Sequence, residues 1–347
     1  MNKIEDRKYF DYADVLIKPK YSFLNSRNDV NLKRHYEIRD VEFDAVPIII
    51  SNMTSSGTFG MAHATEDCGL ITCFHKHYEV RDFDNQYFNN FHFISSGISN
   101  KDFERLEYIF YNKDHSYNHY GIVIDVANGY MKQLFDFITR VRKRFPKHVI
   151  MAGNICTPDI ILDYAAVGVD IIKVGIGNGL HCRTRDVTGI GIPQLTAVLD
   201  TVEEADKYGV MICADGGIDV PADFVKGLGA GADFIMAGSI FSGHRESGGK
   251  VVIKDDQIYK ETYGMSSYSA METYSGGIAD YRTSEGRTTL IPFRGDVKNT
   301  VSEILGGIRS AMTYTNTKDI VDFSNNVTFA PVQETINRKH VSDTIGK

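Results

Sequence analysis

No sustained cluster of lysine or arginine occurs in this chain, and its 347 residues carry a formal net charge of −7. A nucleic-acid partner or an anionic membrane surface therefore has no electrostatic support. Nor does any stretch approach the roughly 18 consecutive apolar residues that crossing a bilayer requires. The opening MNKIEDRKYF lacks the apolar centre of a secretory signal. These absences predict a cytoplasmic protein with no membrane partner. Cysteine is scarce, five in all, with no Cys-x-x-Cys pair and no His/Cys cluster at zinc spacing. A disulfide framework and a structural zinc site are both disfavoured, and reduced thiols are expected. Internal repeats, low-complexity tracts and inter-domain linkers are also missing, so residues 1–347 read as a single domain.

What the chain does contain is a series of eight short apolar runs, each followed by a stretch long enough for a helix. They are VPIIISNM from Val46, LITCFHKH from Leu70, FHFISSGI from Phe91, GIVIDVAN from Gly121, HVIMAGNI from His148, DIIKVGIG from Asp170, VMICADGG from Val210 and DFIMAGSI from Asp233. Near-continuous Val, Ile and Met mark strands buried on both faces, as in a parallel sheet. Helical spacing marks the connections, for example Tyr130 to Phe145 and Leu195 to Tyr208. Eight such units predict an α/β protein, a (β/α)8 TIM barrel. Nearly every run ends in polar or glycine residues, as the strand ends around a barrel's catalytic mouth should. A doubly wound sheet is the alternative, but it would gather ligands at one switch point only. Two segments fall outside the repeat. The first 45 or so residues form an N-terminal extension, expected to cover the barrel's base. Residues 242–300 form a long insertion with a predicted hairpin turning at Asp255-Asp256.

The most informative loop follows the sixth run, where VGIGNGLHCRTR carries Cys182 among His181, Arg183 and Arg185. Cationic neighbours would favour the nucleophilic thiolate. By contrast, Cys68, Cys73, Cys156 and Cys213 sit in or beside apolar runs and read as small buried hydrophobes. Gly175-x-Gly177 lacks the rest of a dinucleotide fingerprint. Asp215-Gly216-Gly217 and Gly238-Ser239 end the seventh and eighth runs, where barrels often build a phosphate site, with Asp215 free to accept ribose hydroxyls. Each alone could be an ordinary tight turn. Lys76 and Asp125 close apolar runs and could simply pair with each other. Glu285, between Arg282 and Arg287, is by itself a solvated charge.

Together these segments resemble the IMP dehydrogenase/GMP reductase family, on its reductase side, from about Phe10 to Arg338. The resemblance is carried by DVLIKPK at Asp14, PIIISNM, HKHY at His75, DVANGY at Asp125, VGIG with CxTR, TGIGIPQL, DGG at Asp215, GADF at Gly231, YGMSS at Tyr263, YRTSEGRT at Tyr281 and ILGGIRS at Ile304. Dehydrogenases of the family typically insert cystathionine-β-synthase-type modules and carry an Arg-Tyr pair on their flap. Here the second and third strands lie too close for that insertion, and the long loop has the reductase-like SEG.

The resemblance implies NADPH-dependent reductive deamination of GMP to IMP and ammonia through a covalent thioimidate on Cys182. Thr184 and Glu285 would handle the proton transfer, and Lys76 and Asp125 would assist deamination. Asp215, Gly216, Gly217, Gly238, Ser239, Gly264, Met265 and Ser266 would hold the nucleotide, with Arg282, Ser284 and Gly286 completing the purine site. NADPH would meet Asp125, Val126, Ala127, Ile176 and Gly177. Ser26, Arg27, Ser310, Ala311, Met312 and Thr313 would reach it from a neighbouring subunit of a homotetramer. A monovalent cation, K+, would sit on carbonyls of Gly177, Gly179, Cys182 and Arg185. The departures cluster in the cysteine loop, where Asn178, Leu180, His181 and Arg183 replace the family's usual Pro, Ser, Val/Ile and Thr. Leu180 removes a hydroxyl that normally meets phosphate, and Arg183 or His181 would have to compensate by charge. Two other readings stay open: a nucleotide-binding regulatory protein with weak catalysis, and an IMP dehydrogenase.

Overall fold

Isoleucine-rich segments bury both faces only when flanked by strands on each side, and here eight of them pair into a closed ring. The computed structural model describes residues 4–84, 86–111, 120–264 and 286–332. The barrel strands are β1 (Ile48–Ile50), β2 (Ile71–Phe74), β3 (His92–Ser96), β4 (Tyr120–Asp125), β5 (Ile150–Ile155), β6 (Ile171–Val174), β7 (Met211–Asp215) and β8 (Phe234–Ala237). All neighbours are parallel, and β8 closes on β1 with Ile235 opposite Ile48 and Ala237 opposite Ile50. This is the predicted (β/α)8 barrel. Side chains alternate between two environments, as the two-residue strand period requires. Ile49 and Val123 point into the barrel interior, whereas Ile48, Ile50, Ile122 and Ile124 pack outward in the layer shared with the helices.

The helices are α1 (Phe59–Thr65), α2 (Asn100–Tyr111), α3 (Lys132–Arg144), α4 (Ile161–Ala166), α5 (Thr184–Thr188), α6 (Gln194–Ala205), α7 (Pro221–Gly229) and α8 (Val297–Tyr314). In α3 the buried residues Leu134, Phe137, Ile138 and Val141 fall at i, i+3, i+4 and i+7, one face of a helix. The expectation of a helix after every strand fails once. Between β2 and β3 the described chain makes only a 3-10 turn, Val80–Phe83. There Phe83 joins Phe59, Phe74 and Tyr120 in an aromatic cluster that does the covering.

The N-terminal extension closes the base of the barrel, as expected. Strands Arg34–Ile38 and Val41–Ala45 form a hairpin. From it Tyr36 stacks against Phe43 at 5.0 Å and Phe234 at 4.5 Å, and Phe43 stacks on Phe91 at 4.1 Å. The Tyr36 hydroxyl donates to the Asp233 carbonyl at 3.1 Å, so the ring plugs the barrel without stranding a polar atom. In the insertion, β9 (Val251–Lys254), β10 (Gln257–Tyr263) and β11 (Thr288–Pro292) form an antiparallel sheet. Its first turn falls at Asp255 and Asp256, with φ of 50° and 58°, the left-handed pair that a tight two-residue hairpin demands. Among the described residues no helix is long and apolar enough to cross a membrane.

Truncating the plug should cost more than any surface change. Tyr36→Ala is expected to destabilise the fold by about 3–5 kcal/mol, read as a lower denaturant midpoint with unchanged far-UV circular dichroism at zero denaturant. A shift under about 0.5 kcal/mol would show that the hairpin does not seal the barrel.

Candidate active site

The C-terminal ends of the strands converge on a cleft of about 250 Å³. Fifteen of the candidate site residues line it: Asp125, Val126, Ala127, Ile176, Gly177, Gly179, Cys182, Thr184, Asp215, Gly216, Gly217, Gly238, Ser239, Gly264 and Gly286. Met265, Ser266, Arg282, Ser284 and Glu285 lie outside the described residues. Contacts that the spacing did not reveal hold the loops together. A Cβ on Gly175 would lie 2.1 Å from the Asp215 carbonyl oxygen, so only glycine lets the β6 and β7 ends approach this closely. Asn178, one of the unusual loop residues, donates from its side-chain amide to that same carbonyl at 3.0 Å.

Cys182 stands half-buried in the cleft, its Sγ 3.2 Å from Thr184 Oγ1. The loop that carries it is stitched to the insertion. Cys182 bridges Gly286 in antiparallel fashion, and the Arg287 N–H donates to the His181 carbonyl at 2.9 Å. The His181 ring, 4% exposed, lies under the three-stranded sheet, 3.3 Å from Thr262 Oγ1 and 3.5 Å from Thr289 Oγ1. Burial pushes its pKa below the ordinary imidazole value. This overturns two expectations: a neutral, enclosed His181 neither favours a thiolate nor compensates at a phosphate. Arg185 is likewise committed elsewhere. Its guanidinium donates to the Ile192 carbonyl at 2.6 Å and pairs with Asp11 at 3.3 Å, tying the loop to the N-terminal extension. Leu180, 53% exposed, lines the cleft.

At the floor lies a residue that motif reading passed over as part of an apolar run. Lys173 on β6 is only 2% exposed, and its Nζ bonds Asp125 Oδ1 on β4 and lies 3.1 Å from Asp215 Oδ2 on β7. The suggested Lys76–Asp125 pair is therefore replaced by Lys173–Asp125. Asp125 Oδ2 also accepts from Asn52 at 3.1 Å, and Asp215 Oδ2 from Asn154 at 2.8 Å. Asp215 is thus not wholly free, although a carboxylate keeps further lone pairs for a ligand. Burial works to raise the Asp125 pKa, but the Lys173 charge and the hydrogen bonds from Lys173 and Asn52 outweigh it. The carboxyl titrates below the usual range. Burial works against the Lys173 charge, yet the two aspartates hold its pKa far above normal. The signal that could have found it was a lysine inside a run otherwise fit for complete burial.

The remaining residues sit outside the cleft wall. Lys76 is exposed beyond β2, near enough for its charge to help lower the Asp125 pKa. Ser26 caps a 3-10 turn, Arg27–Asp29, that packs on α8, the helix carrying Ser310, Ala311, Met312 and Thr313. Met312 is fully buried in the core, so its side chain is unavailable to a cofactor. The carbonyls of Gly179 and Arg185 each accept one backbone bond, from Cys182 and Gly189. A Cβ on Gly177 would meet Arg185 Cγ at 2.4 Å, so the two ends of this loop fold onto each other. Among the described residues no cluster of His, Cys, Asp and Glu could hold a metal ion.

Lys76 is flanked by His75 and His77, whose pKa values are both pushed down to about 4. For His75 the cause is burial, then the charges of His77 and Arg105; for His77 it is burial, then Lys76 and Arg105. Both are neutral when folded but would protonate near 6.5 in the unfolded chain. Their contribution is therefore full above about pH 6.5 and lost as pH falls toward 4, a change on the order of a few kcal/mol. The thermal midpoint should fall across that window, and His75→Gln/His77→Gln should flatten the fall. An unchanged slope in the double variant would remove the histidines from the account.

A family model, the IMP dehydrogenase / GMP reductase domain, matches residues 96–340. The chain is 43% identical to a GMP reductase of Caenorhabditis elegans, covering 98% of this chain and 97% of that one. It is 43% identical to GMP reductase 2 of Homo sapiens (97% and 98%) and 41% identical to a GMP reductase of Vibrio cholerae (96% and 98%). With the closed barrel, the cysteine loop and near full-length similarity in agreement, the chain belongs to the IMP dehydrogenase/GMP reductase family.

Proposed function

We propose that this protein is a GMP reductase, converting GMP to IMP and ammonia with NADPH as reductant. The observation that carries the reading is Cys182 in the mouth of the cleft with Thr184 Oγ1 at 3.2 Å, among strand ends able to hold a nucleotide. Cys182 Sγ, as thiolate, adds to carbon 2 of the guanine, giving a tetrahedral adduct. The exocyclic amine leaves as ammonia once protonated, and the carbon–nitrogen bond breaks to leave a thioimidate on Cys182. Thr184 passes this proton, with Glu285 as its acid/base partner. NADPH, when bound, would supply the hydride that reduces carbon 2, and Cys182 then leaves as thiolate as IMP departs.

The rest of the cleft divides by chemistry. Asp215 accepts ribose hydroxyls, and the Gly216-Gly217 and Gly238-Ser239 turns at the ends of β7 and β8 offer backbone donors for the phosphate. By the family resemblance, Gly264, Met265, Ser266, Arg282, Ser284 and Gly286 would hold the base. Asp125, Val126, Ala127, Ile176 and Gly177 face the nicotinamide, with Lys76 at the rim assisting deamination. Ser26, Arg27, Ser310, Ala311 and Thr313, on a turn and helix that pack together and outside this protomer's cleft lining, would be free to serve a neighbour's cofactor in a homotetramer. Carbonyls of Gly177, Gly179, Cys182 and Arg185 would hold K+ and stiffen the loop behind the thiol.

Purified protein should consume NADPH when GMP is added, read by loss of reduced-nicotinamide absorbance. Cys182→Ala should lower turnover by on the order of 10⁴ or more, because no other group can replace the nucleophile. No consumption at saturating GMP by the wild-type protein would overturn the proposal. Leu180 forfeits a charged hydrogen bond worth about 1.5–3 kcal/mol, so Leu180→Ser should tighten GMP binding roughly tenfold or more by calorimetry. Unchanged affinity would mean that phosphate is met without that position.

A further inference from the structure

We propose that Lys173 is a positioning residue that holds the substrate-side and cofactor-side carboxylates of the cleft in one charge network. The roles of the two sides rest on the reductase reading above. The geometry is independent of it. One ammonium, 2% exposed, spans from β4 to β7, bonding Asp125 Oδ1 and lying 3.1 Å from Asp215 Oδ2. Each carboxylate is also held by an amide on its other oxygen or beside the lysine: Asn52 donates to Asp125 at 3.1 Å and Asn154 to Asp215 at 2.8 Å.

Two carboxylates this near, facing one cleft, repel each other and disfavour joint ionisation. A lysine between them removes that conflict and fixes both rotamers. A buried ammonium needs such partners, because a single carboxylate rarely offsets its desolvation. The other groups facing the network are few. Lys76 approaches Asp125 from beyond β2, and the Cys73 and Cys213 thiols lie beside Lys173 with their pKa values pushed well up, first by burial. They stay neutral, so among these neighbours Lys173 and Lys76 supply the positive charge.

A consequence follows for the order of events at the site. When a ribose hydroxyl engages Asp215, Lys173 is drawn or released, and Asp125 responds on the cofactor side. Nucleotide binding is thereby linked to the state of the carboxylate beside the nicotinamide, through one side chain that need touch neither ligand.

The test is a carbon-13 carboxylate titration by NMR of ligand-free protein, paired with calorimetric GMP binding across pH. In Lys173→Met, the Asp125 resonance should titrate at higher pH than in wild type, and GMP affinity should fall roughly tenfold or more. Lys173→Arg should restore much of both. In Asp215→Asn, where Lys173 serves Asp125 alone, the Asp125 titration should move to lower pH. An Asp125 titration indifferent to Lys173→Met would overturn the inference. Should Lys173→Met fail to fold, indifference to Asp215→Asn overturns it equally. Because the titration needs neither turnover nor ligand, it reads the network even if wild-type protein consumes no NADPH with GMP, an outcome that would sink only the reductase reading.

Discussion

A parallel sheet has no tolerance for a free edge in its interior, and closure of eight strands into a ring is the constraint from which the rest of this structure follows. Once β8 pairs with β1, every strand has two buried faces and all eight C-terminal ends point the same way. The inward set of side chains must fill the ring, and the base must be sealed. The Tyr36 hairpin does the second, adding aromatic layers below Phe234 and Phe91. The upper end is left to loops, whose glycines permit approaches that side chains would block.

Closure also determines where charge can go. At the floor of the cleft Lys173 is almost wholly removed from water, and it is stable there because β4 and β7 bring it carboxylates. The same economy shapes the cysteine loop. Two of its four unusual residues dock it: His181 under the insertion sheet and Asn178 across to Asp215. Cys182 is thus held between two supports, the barrel end and the bridge to Gly286. Its placement comes from backbone pairing more than from a cationic neighbourhood.

Much of the fold was legible in the chain. All eight apolar runs became barrel strands, α3 kept its helical face, and the Asp255-Asp256 turn fell in its place. These features depend on local periodicity and turn chemistry, which the order of residues encodes directly. The 3-10 turn between β2 and β3 was not legible, since its length suits a helix and only the aromatic packing around Phe83 shows why none is needed. Family motifs drew most of the candidate site residues together, and the cleft gathers fifteen of them. Met312 shows what motif matching does not carry, because burial of its side chain in the core is set by tertiary packing.

By itself the sequence determined the strand count, the parallel barrel and the place of one cysteine, Cys182, in a glycine-rich loop. Only the tertiary structure decided which charges meet. Lys173 and Asp125 are 48 residues apart, and nothing in either neighbourhood names the other. Lys76 looked as good a partner until the ring set Lys173 of β6 within reach of both Asp125 on β4 and Asp215 on β7. His181 likewise reads as a cation until the insertion sheet covers it. Burial and pairing are properties of the assembled solid, set by which surfaces remain in water after the ring closes, and no local pattern contains them.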